Sequence, residues 1–453
     1  MRAHSPMQMT TAMPQVSTGA RLDIDLPRRF LFFLALVLAG YAIDGRGFAY
    51  IGVPPLFIGE ISLLLGVITF LSINGWWRVL TLPQAVAIYP LFICGLIATI
   101  PYISVYGFDT FRDAVTYGYS IFAFVIAAVL MSEPTRLVKL IHWYRKFWRV
   151  FLCAIPCVYV ITHFLHDAIP KWPFADQHMI QLKEGDVLVH LAGIICFWIA
   201  GYEKDAKWQW VALMTGCLAI MGVIDRAGLI TFLIVLGLCM ILRPKNIAPW
   251  RLGTMIIVSL FLLWASDLKI PVPGGKDREV SFQQIVDNMM SITGQSQRAG
   301  LEGTKEWRLE WWTDIVNYTI HGKYFWTGKG FGVNLADDDG YQVGDGTLRS
   351  PHNVHMTILA RTGVPGILIW AALHLFYGST LLLNYLRARM AGDERWTKFF
   401  MFIFAFWLAF LINGSFDVFI EGPMGGIWFW TIVGTGMASI WIYKNYPEAL
   451  NEL

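Results

Sequence analysis

Strongly apolar stretches recur along this chain near 30–43, 55–73, 83–103, 112–131, 148–165, 187–202, 208–224, 227–242, 252–266, 355–384, 398–416 and 425–443. Most breaks between them are short. One is not: residues 267–351 are hydrophilic throughout. A helix needs about 20 apolar residues to cross a bilayer. Several runs fall short of that, so their ends are soft. The pattern predicts an all-α, polytopic integral membrane protein with about twelve transmembrane helices and a large external loop between spans nine and ten. It divides the chain into a polar N-terminus over 1–27, expected to be disordered, spans one to nine over 28–266, the loop over 267–351, and spans ten to twelve with a short tail over 352–453.

Lys and Arg in the short loops set the orientation. If the N-terminus, with Arg21, Arg28 and Arg29, is cytoplasmic, then so are the loops holding Arg136, Lys139, Arg145 and Lys146, holding Arg243, Lys245 and Arg251, and holding Arg387, Arg389, Arg395 and Lys398. Alternate loops carry acid instead, at Asp167, Asp176, Glu184, Asp186, Asp417 and Glu421. Both termini then lie inside and 267–351 lies outside. The stretch 208–242 is too long for one span and is interrupted by Asp225-Arg226-Ala227-Gly228. This reads as a helical hairpin turning at the outer surface, with Arg226 near the start of the returning helix.

Within the polar segment, 280–292 reads as a short amphipathic helix and 304–320 as a better one. Trp307, Trp311, Ile315 and Tyr318 share one face of the second, with Arg308 beside it. Gly328-Lys329-Gly330-Phe331-Gly332 reads as a flexible turn. Asp337-Asp338-Asp339-Gly340 lacks the spaced ligands of a calcium loop and reads as a solvated acidic tip. Gly363-Val364-Pro365-Gly366 predicts a break early in the tenth span, whose freed backbone groups need partners.

Composition narrows the class. The chain has 453 residues, 56% hydrophobic and 15% charged, with a mean hydropathy of +0.52. The net charge of +3 offers no concentrated basic face for nucleic acid. The six cysteines all fall in apolar stretches and read as small core residues. Cys153 and Cys157 share a helix face, but no further ligand accompanies them, so no metal site is expected. No cleavable signal precedes the first apolar run. There is no phosphate-binding Walker loop, no Gly-x-Ser-x-Gly elbow and no His-Glu-x-x-His pair.

Chemistry concentrates at the outer face. Arg46, Arg112, Asp113, Asp186, His190, Arg226, Arg308, Arg349, His352, His355, Asp417 and Glu421 all fall near it. Arginines paired with neutral histidine suit an anionic amphiphile: the guanidinium forks onto phosphate oxygens, and imidazole takes a proton at working pH. With no nucleotide pool outside the inner membrane, an activated donor there must already be energised, as a lipid-linked diphosphate is. Asp186 and His190, four apart, read as a structural pair. Arg361 reads as a partner for an acid inside the bundle.

His352-Asn353, nine residues, then Gly363-Val364-Pro365-Gly366 resembles the H-[N/S/Q]-x9-G-x-x-G pattern of the O-antigen ligase and O-antigen polymerase family. The likeness extends over most of the chain apart from residues 1–27. Arg226 stands where that family has an Arg at the outer end of a helical hairpin, and Arg308 where it has one before a Trp-rich stretch and a glycine turn. The resemblance implies a metal-independent, cofactor-free, inverting glycosyltransferase in a bacterial inner membrane, with its active site facing the periplasm. It would move a glycan from undecaprenyl diphosphate to an acceptor hydroxyl. His352 would take the acceptor's proton, and Arg226 and Arg308 would hold the diphosphate. Asn353, His355, Arg112 and Glu421 would support the site, and Gly363 and Gly366 are the motif glycines. The leading expectation is a ligase whose acceptor is lipid A–core. A polymerase adding a second lipid-linked repeat is the alternative. A transporter of lipid-linked saccharides fits less well, because the charges gather at one face instead of lining a path.

Overall fold

The computed structural model describes residues 25–203, 207–243, 299–343 and 346–453, with scattered positions between 253 and 287. The described residues are mostly helical, 76% of them, with almost no strand. Helices α1 (Leu26–Asp44), α2 (Ile58–Ser72), α3 (Pro83–Thr99), α4 (Phe108–Gly118), α5 (Ile121–Ser132), α6 (Arg136–Phe164), α7 (Glu184–Ile199), α8 (Trp208–Ile224) and α9 (Arg226–Leu242) come first. Then α10 (Ala299–Thr319) and α11 (Leu335–Asp339) lie in the polar segment, and α12 (Val354–Met390), α13 (Glu394–Gly414) and α14 (Pro423–Asn445) close the chain. Two-residue strands pair at Gly52–Val53 with Leu56–Phe57 and at Ile270–Pro271 with Glu279–Val280.

Among the described residues, six helices are long and apolar enough to cross a membrane, α3 counted with its continuation to Tyr106, or seven if α4 and α5, bent by 42°, form one broken span. This is a multi-pass membrane protein. Every apolar run read from the sequence falls on a helix except 252–266, which lies mostly outside the described residues, as do residues 1–24 of the N-terminus and positions 285 and 288–292 of the expected helix over 280–292. The count of spans is lower by this measure than the run count because α2, α7, α8 and α9 are only 15–17 residues long.

Caps fix where several helices begin. Asp25 accepts from Arg28 N at α1, Asp225 from Gly228 N at α9, Asn353 from His355 N and Met356 N at α12, and Asp393 from Trp396 N at α13. Each satisfies a backbone donor that the first turn leaves open. The centre of the bundle is α7, buried from Gly185 to Ile199, together with α13 and α14. It is dense with rings; Tyr144, Phe197, Phe402, Phe406 and Trp428 pack in tilted and T-shaped contacts. Cys196, Cys217 and Cys239 are buried in it as expected, but Cys153 and Cys157 face outward from α6.

The hydrophobic face of α10 packs inward. Trp311 and Ile315 are fully buried against Val333, Leu335, Leu359 and Ala360. The acidic stretch is a solvated tip only in part: Asp337, Asp338 and Gly340 are exposed, but Asp339 turns inward. Asp339 is buried, accepting from Trp311 Nε1 at 2.6 Å and pairing with the Lys329 ammonium, which also lies over the Tyr318 ring. It pins α11 to α10. The inward turn of Asp339 is hidden in the sequence because the lysine that pairs with it sits ten residues upstream, in the glycine turn.

The break in α12 is at Gly363, with φ 68° and ψ −166°. In an unbroken helix, Val364 N would bond to Ala360 O and residue 365 to Arg361 O, but Pro365 has no N–H. Both carbonyls are instead taken by the glycine turn: Lys329 N donates to Ala360 O at 2.7 Å and Gly330 N to Arg361 O at 2.9 Å. Val364 N donates to Phe325 O at 2.8 Å. The backbone groups freed by the kink are thus all bonded to protein, as an apolar surrounding demands. The approach is tight enough to need glycine: a Cβ at 363 would stand 2.4 Å from Phe325 O, and one at 328 would stand 2.3 Å from the Arg361 carbonyl carbon.

Candidate functional site

The site forms where the polar segment returns to the bundle. Trp312 on α10 donates from Nε1 to Pro351 O at 2.9 Å, clamping the backbone one residue before His352. Asn353 then caps α12. Between these two anchors His352 takes a left-handed conformation, φ 53°. A β-carbon makes that region costly, and residues held there concentrate at functional sites. The turn leaves the His352 side chain 29% exposed, with Nδ1 3.5 Å from Asp417 Oδ1 and the ring 6.4 Å from Trp307.

Asp417 lies in the link between α13 and α14, its side chain 10% exposed. Oδ1 accepts from Val418 N at 2.7 Å, and Oδ2 meets the ammonium of Lys183. Burial, the largest single influence, would raise its pKa, but Lys183 and His352 together outweigh it and hold the carboxyl well below the usual carboxylate range. Asp417 is therefore an anion, and it faces Nδ1 of His352. A carboxylate there favours the tautomer with the proton on Nδ1 and leaves the Nε2 lone pair free.

Arg308 reaches the same link from α10. Its NH1 donates to Phe416 O at 3.0 Å, while Nε is buried without a hydrogen-bond partner. Burial lowers its pKa, with Asp417 and Asp225 acting in the opposite direction. His352 and Arg308 thus converge on residues 416–417. The returning helix of the 208–242 hairpin starts at Arg226, and its cap Asp225 lies against α7: a Cβ on Gly185 would stand 3.0 Å from Asp225 Oδ2. Lys183 feels the charges of Asp186, Asp417 and Asp225, so the Asp225 cap at the start of α9 and the α13–α14 link both lie in its neighbourhood. Lys183 is a residue that sequence reasoning missed. Its only signal was a lysine directly before an acidic helix start, Lys183-Glu184-Gly185-Asp186.

His355 is one turn along α12. Trp370 Nε1 donates to its Nδ1 at 2.9 Å, and its Nε2 lies 3.0 Å from Ser415 Oγ. Indole N–H only donates, so Nδ1 is unprotonated and Nε2 carries the hydrogen. Both nitrogens are committed, and the ring acts as a strut between α12 and the α13–α14 link.

A second network lies behind the turn, around Asp113 on α4. Arg349 NH2 and Arg361 NH2 each reach Asp113 Oδ2 at 3.0 Å, and Arg112 Nε lies 3.6 Å from its other oxygen. Arg361 also donates to Gly330 O and Val333 O. Its acid partner is thus Asp113, and it ties the glycine turn to α4. Arg112 pairs mainly with Asp109, at 3.1 Å, and remains well exposed. Glu421 accepts from Thr357 Oγ1 at 2.9 Å; burial pushes its carboxyl up to about 7, against the pull of Thr357 and Arg361.

Asp186 and His190 do not pair. Both Asp186 oxygens and His190 Nδ1 lack hydrogen-bond partners. His190 is enclosed by rings, including Phe151, Phe410 and Trp428, so spacing of four put the two on one face without turning them together. Among the described residues, no group of three or more His, Cys, Asp or Glu side chains is disposed to hold a metal ion.

Residues 210–371 match the family model described as O-antigen ligase. The matched stretch takes in Arg226, Arg308, His352, Gly363 and Gly366, and it supports the O-antigen ligase and polymerase family for this chain. No curated protein matches the chain. The match together with the apolar helices supports a membrane glycosyltransferase of ligase or polymerase type.

Proposed function

We propose, from that family match, that the chain is a ligase moving a glycan from undecaprenyl diphosphate to a hydroxyl of lipid A–core. The reaction takes place at the periplasmic face of a bacterial inner membrane. The observation that carries this reading is the convergence of His352, at the start of α12, and Arg308, on α10, upon residues 416–417 of the α13–α14 link, where the anionic Asp417 backs the imidazole. The proposed topology keeps twelve spans with both termini cytoplasmic, and 267–351 outside between spans nine and ten. It keeps the division at 1–27, 28–266, 267–351 and 352–453.

His352 is the base. The acceptor hydroxyl gives its proton to Nε2 as its oxygen bonds to the anomeric carbon. The bond from that carbon to the phosphate oxygen breaks on the opposite face, which inverts the centre, and undecaprenyl diphosphate leaves with the electron pair. Asp417 orients the imidazole and stabilises its protonated form. Arg226 and Arg308 offset the charge that grows on the leaving diphosphate; planar, permanently charged guanidinium forks suit phosphate oxygens. No nucleotide or metal is needed once that charge is met. Asn353 and Trp312 fix the turn, His355 braces it, and Glu421 and Arg112 complete the wall behind it. Arg361, bonded to Asp113 and the glycine turn, is committed to holding the outer end together, which leaves little to line a transport path.

The test is reconstitution of purified protein with a lipid-diphosphate glycan and either lipid A–core or a second lipid-linked repeat. One added glycan block on lipid A–core supports ligation; a ladder of lengths on the donor lipid means polymerisation instead. His352→Ala should insert normally and lose about 10²–10⁴-fold in rate, the range for a general base. Wild-type turnover by that variant would remove His352 from the chemistry.

A further inference from the structure

The pocket holds a cation to which the reading above gives no task. Lys183 stands just before α7, in extended backbone, with its side chain 37% exposed and its ammonium on Asp417. Arg308 differs in its partner: half-buried as well, it is tied through NH1 to a backbone carbonyl. The lysine's partner is itself oversupplied. Asp417 already accepts from Val418 N and faces His352 Nδ1. Around Lys183 lie Asp225 and Asp186 as well, and the Asp186 carboxylate is buried with neither oxygen hydrogen-bonded. Lysine therefore has acids on several sides but only one firm contact, on a flexible four-carbon stem that can carry the charge elsewhere.

We propose that Lys183 is a third cation for the donor's diphosphate, parked on Asp417 in the unliganded protein and transferred to phosphate oxygen when the donor arrives. This rests on the diphosphate-donor reading. The arrangement suits such a transfer. Arg308 and His352 mark the two sides of residues 416–417, and Lys183 ends on the side chain between them. A diphosphate oxygen drawn to Arg308 competes directly with Asp417 for the ammonium, since both are anionic oxygens and the phosphate carries the greater charge. Parking also answers a physical problem. A cation left unpaired in a half-buried pocket is costly, and a carboxylate counterion held by other donors lowers that cost without being lost when the lysine departs.

The probe is inorganic pyrophosphate, titrated calorimetrically into the full-length protein in detergent, with melting temperature recorded for each variant. Lys183→Gln should bind about tenfold more weakly, the scale of one charge-assisted contact. Lys183→Arg should stay within about threefold of wild type, since charge is kept while reach changes. Asp417→Asn should bind at least about threefold more tightly, because the parked cation is released. That gain separates the proposal from a purely structural ion pair, in which losing either partner only weakens the site. If wild type binds and Arg308→Gln weakens binding while Lys183→Gln does not, Lys183 has no phosphate role and the diphosphate reading stands. If Asp417→Asn binds no more tightly, the parking is wrong. If wild type does not bind pyrophosphate at millimolar concentration, the diphosphate reading fails and this inference fails with it.

Discussion

Replacing Gly363 with alanine isolates what the motif glycines do. At φ 68° and ψ −166° the residue occupies a region essentially reserved for glycine. Forcing a β-carbon there costs about 1–3 kcal/mol. The new methyl would also stand 2.4 Å from Phe325 O and 2.9 Å from Tyr324 O, both backbone atoms that cannot rotate away. Relieving the overlap means moving the 324–328 backbone, which carries the bond from Val364 N to Phe325 O. Losing that bond in a buried place adds about 1 kcal/mol. The sum is roughly 2–4 kcal/mol, a large share of the stability of an ordinary domain. Gly366→Ala should act in the same direction, because the kink folds Thr362 onto it: its Cβ would stand 2.4 Å from Thr362 Cβ. Thermal unfolding in detergent, followed by tryptophan fluorescence, measures both. Transfer should fall with stability and recover on cooling. A Gly363→Ala protein as stable as wild type but inactive would mean that the glycine meets substrate and that the architectural account is wrong.

Two further outcomes follow from the site. Glu421, pushed by burial from an ordinary 4.5 to about 7, holds its proton more tightly folded than unfolded. Its contribution to stability is complete below about pH 4.5 and is lost as pH rises through 7; Glu421→Gln should flatten the melting profile over that window, and parallel profiles for the two proteins would refute the shift. Glycan transfer should persist in EDTA, since Arg226, Arg308 and His352 supply the charge and the base; activity lost to the chelator and restored by a divalent ion would overturn the metal-free mechanism.

Local features of this chain could be read from its sequence. The apolar runs, the hairpin turn at Asp225-Arg226, the apolar face of α10 and the break at Gly363 each depend on residues within a few turns of one another. Pairings across distance could not. His352 and Asp417 are 65 residues apart, and Lys183 is farther from either; nothing in periodicity joins them. Arg361 could be recognised as a buried cation needing an acid, but not as the partner of Asp113 on α4. Asp339 was misread because its counter-charge is Lys329 in the glycine turn. Asp186 and His190 show the converse: helical spacing places two residues on one face, while the neighbouring helices decide whether they meet.

The backbone plug at the kink turns the motif's spacing into a ruler. Nine residues separate Asn353 from Gly363, and at an α-helical rise this half-helix measures about 15 Å from the His352 turn to the plug. Both ends are fixed by parts of the polar segment: Trp312 holds the carbonyl at 351, and the 329–330 backbone holds those at 360 and 361. One residue inserted between them would advance the phase by about 100° and swing either the imidazole off Asp417 or the kink off its plug. Side chains along the half-helix can therefore drift while its length cannot. The gap in the pattern is a mechanical dimension, set by two docking points on the same polar segment.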